Sequence, residues 1–205
     1  MGGPRAIRGA LLAVLLGGSM ACSGATADKA GPTATVGTEP PATTTTNPYA
    51  VPAVIDAAYV NRVLAGLDAI RGDVARLVLQ TQTIPREAYD RLKAMYADPD
   101  FLQNSIDSYQ LEIRQGLRGY RKDPGNILTQ VRELITARPN CIFARVERDR
   151  SAVAANPPPN TFVWVGLRPL DPLRDPMGYN TTGWAYVYDG FPPDRSRPED
   201  PCRVS

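Results

Sequence analysis

The stretch ILTQVRELITA (127–137) decides what kind of fold this 205-residue chain adopts. Ile127, Leu128, Val131, Leu134 and Ile135 fall on one face at helical spacing. The same segment is rich in β-branched residues and runs into RPN (138–140), a turn that suits a hairpin. The segment beyond that turn breaks the tie. CIFARVERD (141–149) reads as a strand, so 127–137 is taken as the strand paired with it. Phe143 and Val146 do not alternate cleanly, which suggests a bulge in this second arm.

Working outward, two more strands follow a proline-rich loop at 156–159. TFVWVGL (161–167) places Phe162 and Trp164 on one face, Val163 and Val165 on the other. GWAYVYDG (183–190) places Trp184, Tyr186 and Tyr188 on one face, Ala185 and Val187 on the other, and its Asp189-Gly190 reads as a turn. Upstream the period is helical. Val60, Val63, Leu64, Leu67, Ile70, Val74, Leu77 and Val78 form the stripe of one long helix, 54–80, with Arg62, Arg71 and Arg76 between them. Pro85 opens a short second helix carrying Ala88, Leu92, Met95 and Tyr96. Asp98 and Pro99 cap and start a third, which runs to about Arg118. The result is an α+β domain over 54–205: three helices, then roughly four antiparallel strands.

That order, with aromatic strands over helices, resembles the cone-shaped nuclear-transport-factor-2-like fold across residues 54–192. The resemblance implies an interior pocket. The aromatic row of Trp184, Tyr186 and Tyr188, joined by Phe162 and Trp164, is the candidate lining, since aromatic faces hold sugar rings and apolar ligands. The same row also suits a core packed against helices. Enzymes on that fold usually place a histidine or paired aspartates in the cone, and here there is no histidine and no such pair.

The N-terminus gives an address. Arg5 and Arg8, the apolar run Ala10–Leu16 and the small residues Gly17–Ala21 form a signal peptide, 1–21. Ser19-Met20-Ala21-Cys22 resembles the bacterial lipoprotein cleavage motif, which implies that Cys22 becomes an acylated N-terminus. Ser19 stands where that motif usually has Leu, so ordinary cleavage after Ala21 or Ala27 is the alternative, giving a secreted protein. If Cys22 carries lipid, Cys141 and Cys202 remain as one pair, a disulfide in an oxidising compartment or else two free thiols. Residues 22–53 then form a disordered tether with eight Thr and five Pro, in which Thr43–Thr46 suit O-linked sugar. At roughly 3 Å per residue it would reach on the order of 90 Å. The bias of 20 Arg against 3 Lys matches GC-rich coding, so the chain resembles exported lipoproteins of GC-rich Gram-positive bacteria.

Composition narrows the function. Without histidine, Ser-His-Asp and Cys-His nucleophile systems and the usual His-rich zinc sites are excluded. Losing residues 1–21 removes two arginines and leaves 21 basic residues against 21 acidic, so there is no footprint for nucleic acid. No motif calls for a cofactor or a metal. Asp171, Asp175 and Asn180 could be posed as calcium ligands but read as turn formers. Glu112, Glu133 and Glu147 read as solvated faces. The expectation is a lipoprotein at the outer face of the cell membrane, displaying a non-catalytic domain that binds an envelope protein or a small apolar or sugar ligand. A hydrolase or isomerase using carboxylate and Tyr groups in the cone is the alternative.

Overall fold

A computed structural model describes residues 47–191 and 196–203. The segment 1–21 read as a signal peptide, the expected lipidation site Cys22 and the Thr43–Thr46 run lie outside the described residues.

Residues 127–137 carry two periodicities because the strand they form is bulged. β1 (Leu128–Arg138) pairs antiparallel with β2 (Cys141–Asp149) across the turn at Pro139-Asn140. The register shifts twice, between Val131 and Glu133 and between Leu134 and Thr136. Each shift inserts one residue, first Arg132 and then Ile135. Inward-facing residues of a regular strand are an even number apart, but Val131 and Leu134 both pack on the helix side at a spacing of three. That is also the spacing of a helix face. β2, where the sequence suggested a bulge, instead keeps unbroken register with β3 (Thr161–Pro169). Its Phe143 faces outward and Val146 inward.

The sheet is completed by β4 (Trp184–Gly190), in the order β1-β2-β3-β4. Leu167 pairs with Tyr186 but Gly166 pairs with Tyr188, so Val187 is an extra residue in β4. Past it, Asp189 stands opposite Val165 on the inward face. The turn expected at Asp189-Gly190 is therefore absent. Both residues belong to β4, and the bulge sets which way Asp189 points.

Three helices cover one face. In α1 (Ala57–Thr81) the Asp56 carboxylate caps the first turn by accepting from the Tyr59 amide at 2.7 Å. α2 (Arg86–Met95) follows Pro85, and α3 (Pro99–Arg114) is capped by Asp98 with Pro99 in its first turn. α3 stops four residues short of the sequence expectation, because Gly116 and Leu117 turn to positive φ (73° and 57°) and break the hydrogen-bond ladder. The stripe of α1 (Val60, Val63, Leu64, Leu67, Val74, Val78) packs with α2 and the inward residues of β2, β3 and β4 into one core. That packing begins before Val54: Tyr49 lies against the core, its carbonyl accepting from Tyr59 Oη at 3.1 Å. Gly66 makes room for it, since a Cβ there would stand 2.9 Å from Tyr49 Oη.

On the outer face, Cys141 and Cys202 are joined by a disulfide beside Phe143, Ile135 and Trp164. Among the described residues no helix is long and apolar enough to cross a membrane.

The loop into β4 hangs on a buried amide. Asn180 Nδ2 donates to the Ala94 and Trp184 carbonyls at 2.8 Å each, and its Oδ1 accepts from Thr182 Oγ1 at 2.7 Å. Asn180→Ala strips these bonds and leaves buried carbonyls without a donor, so chemical denaturation should show a loss of roughly 2–3 kcal/mol.

Candidate functional site

Two polar residues occupy positions in the apolar stripe of α1. Asp68 follows Leu64 by four residues and Arg71 precedes Val74 by three, so both point where the stripe points. Asp68 is 1% exposed and Arg71 is largely buried. Alternation along β2 does the same for Arg148, which continues the inward series Ile142, Ala144, Val146 and is 4% exposed. With Asp189 rotated inward by the β4 bulge, the four side chains meet between helix and sheet.

Asp189 is the hub. One carboxylate oxygen accepts from Arg71 Nη2 at 2.8 Å, and the other lies 2.6 Å from Arg148 Nη1. Arg71 Nη2 also donates to Tyr96 Oη at 3.0 Å, and its guanidinium lies 5.5 Å from the centroid of the Tyr186 ring. Burial alone would push the Asp189 carboxyl up, but the guanidiniums of Arg148 and Arg71 outweigh it and hold it below the usual carboxylate range. Asp68 goes the other way. Burial raises it, and Arg71 at 3.7 Å only partly pulls it back. The Thr129 hydroxyl, on the residue paired with Arg148 across the strands, also helps to hold Asp68 down, but among the described residues neither Asp68 oxygen has a well-directed hydrogen bond. Arg148 Nε and Nη2 are likewise buried without a hydrogen-bond partner.

Above this cluster opens a cavity of about 650 Å³. Arg71, Arg148 and Asp189 belong to its wall, together with Tyr96, Phe101, Tyr109, Tyr120 and Tyr188. The rings of Tyr109 and Tyr120 stack with centroids 6.2 Å apart, and Phe101 meets Tyr188 edge to face at 5.3 Å. Ser105 and Ser108 of α3, Glu112 and Arg150 complete the polar part. Burial drives the Tyr109 hydroxyl well above its usual range, so it acts as a neutral hydrogen-bonding group.

Of the five aromatic residues singled out in the sequence, Tyr188 lines this cavity and the other four do not. Trp184 and Tyr186 are core, 1% and 0% exposed, with Trp184 Nε1 donating to Tyr59 Oη at 2.8 Å. Phe162 and Trp164 have the opposite parity to Val163 and Val165, so they lie on the outer face of the sheet. There Phe162 sits under the Arg145 guanidinium, and Trp164 stacks on Phe143.

The oxygen-rich loop is engaged internally. Asp171 accepts from the Leu173 amide, Asp175 accepts from the amides of Tyr179 and Asn180, and Asn180 holds the loop as described. Among the described residues no group of three or more acidic or sulfur ligands is positioned for a metal. Glu147 binds Arg132 and Asn160 on the outer face, Glu133 is exposed on β1, and Glu112 reaches the cavity wall.

The residues missed from sequence are therefore Asp68, Arg71, Arg148 and Asp189. Three of them carried a signal, namely a charge standing in the phase of an apolar stripe or strand face. No known protein family, no curated protein and no solved structure matches the chain.

Proposed function

We propose that the chain is an exported lipoprotein whose folded part, a nuclear-transport-factor-2-like cone, binds a small molecule in the cavity above the Asp189 cluster. The cavity carries this reading. Its volume of about 650 Å³ falls within the roughly 300–1,000 Å³ usual for small-molecule sites, and its wall combines aromatic faces with a few fixed polar groups. A domain that used this face only to present a protein-binding surface would have no need to keep it hollow. The leader, the motif at Cys22 and the Thr/Pro tether support export and anchoring. The Cys141–Cys202 bridge supports them too, since such bonds persist chiefly outside the cytoplasm.

Binding fits better than catalysis. A general acid at neutral pH needs a raised carboxyl facing the substrate. Asp189 is held ionised between two guanidiniums, while the raised Asp68 is not part of the cavity wall.

Two measurements test the proposal. Intact mass of the chain purified from its native membrane should give Cys22 as the N-terminus, with acyl chains attached; an unlipidated chain starting at Asp28 would end the anchoring half. For the cavity, phenylnaphthylamine fluorescence should rise on binding to the full chain. Ser105→Trp, which fills the cavity from α3, should abolish that rise with little change in melting temperature. Unchanged binding in that variant would place the site elsewhere.

A further inference from the structure

Resting on that reading of the cavity, we infer that its ligand is an acid: an apolar, ring-bearing molecule with one anionic group, held by Arg150 above the buried charge of Arg148. The donors around Asp189 are unevenly used. Both Asp189 oxygens face guanidiniums, one Arg71 and one Arg148. Arg148 nevertheless keeps Nε and Nη2, the two-pronged edge of its guanidinium, without a hydrogen-bond partner. Both nitrogens are sealed from solvent, so Arg148 acts on the cavity through its charge rather than by touching the ligand. Arg150 lies two residues on, lines the same cavity, is exposed, and makes no ion pair among the described residues. It marks the mouth of the cavity as Arg148 marks the floor.

Three guanidiniums, of Arg71, Arg148 and Arg150, face two carboxylates, of Asp189 and Glu112, in the cavity wall. Arg150 is disfavoured as a cation by its own desolvation and then by Arg148 and Arg71, with Asp189 compensating only in part. An anion beside Arg150 relieves that repulsion. The remaining carboxylate of the wall, Glu112, lies against Gly119 and Tyr120. The stacked Tyr109–Tyr120 pair and the Phe101–Tyr188 pair offer aromatic surface to the body of the ligand. A bare inorganic anion would fill only a small part of about 650 Å³, so the charge must come attached to an apolar body.

A pair of probes separates charge from shape. Anilinonaphthalene sulfonate and phenylnaphthylamine share the same rings, and only the first is an anion. On the full chain the sulfonate should bind at least about tenfold more tightly than the neutral amine, a difference that one charge-assisted pair can supply. Arg150→Gln should remove about that factor for the sulfonate, Arg150→Glu should remove more, and neither should alter binding of the amine. The Arg150 side chain makes no ion pair among the described residues, so both variants should melt with the parent. Ser105→Trp should abolish binding of both probes, which guards against non-specific adsorption. Equal affinities for the two probes, unchanged by Arg150→Gln, would overturn the acid inference and leave the cavity reading intact. No binding of either probe would overturn both.

Discussion

Asp189→Asn should destabilise the domain by roughly 3–5 kcal/mol, the usual cost of leaving a buried charge without its partner. For a protein of this length that corresponds to a fall in melting temperature on the order of 10 °C. Asparagine keeps the shape of the side chain, so the loss reports charge. Without the carboxylate, Arg71 and Arg148 face each other across a buried site where Asp68, 3.7 Å from Arg71, is the remaining counter-charge. The effect has a definite pH signature. Asp189 is held below its ordinary 3.8, so its contribution is complete above that pH and is lost as pH falls through the lower folded-state value. The gap between parent and variant in urea denaturation should therefore stay constant from neutral pH down to about 4 and close below it. Asp68 has the opposite sign. Its raised carboxyl takes up a proton in the folded state first, so acidification from above toward 3.8 favours folding at that residue. A loss below about 1 kcal/mol for Asp189→Asn would mean that the cluster is solvated.

Removing the disulfide should cost about as much by a different route. Cys141 and Cys202 are 61 residues apart, and on the chain-entropy account a bridge closing such a loop is worth about 4 kcal/mol. The double variant Cys141→Ala, Cys202→Ala also frees the tail, which otherwise rests on the bond from Thr136 Oγ1 to Asp200 (2.6 Å) and that from Arg168 Nη2 to the Pro201 carbonyl (2.8 Å). The chain has two tryptophans, and they separate the two consequences. Trp164 packs in the small cluster with Phe143 beside the bridge, whereas Trp184 is sealed in the main core. Release of the tail should red-shift Trp164 under native conditions while Trp184 stays unchanged, and reduction of the parent protein should reproduce both effects. An unshifted Trp164 would show that the tail stays docked without its bond.

The contrast between Arg148 and Asp189 shows how far the sequence could be read. The helices, the strands and their order follow from periodicity and capping, because those signals are local. Arg148 was legible in principle, since strict alternation in β2 gives it the parity of Val146. Arg71 was misplaced among the polar positions of its helix, although it lies in phase with Leu64 and Leu67. Asp189 was not legible. Its direction depends on the extra residue at Val187, and that bulge is defined only by pairing with β3. The same limit explains the candidate pocket. Phe162 and Trp164 were correctly placed on one face of β3, but which face the helices would cover is not written within the strand.

The two insertions in β1 matter beyond register. An antiparallel meander has two margins with backbone groups available to another chain. That of β4 is partly occupied from within, by the Tyr96 bridge to Tyr186 and the Ala97 amide donating to the Tyr186 carbonyl at 2.8 Å. Along β1, the Val131 amide is taken by Asn61 Oδ1 at 2.7 Å, and the irregular residues Arg132 and Ile135 interrupt the even spacing that an incoming strand would need. With the charges of Arg132 and Glu133 at the interruption, the outermost strand is a poor template for edge-to-edge growth. The bulges that blur the helix-or-strand reading of 127–137 thus also protect the folded protein from aggregating through its own sheet.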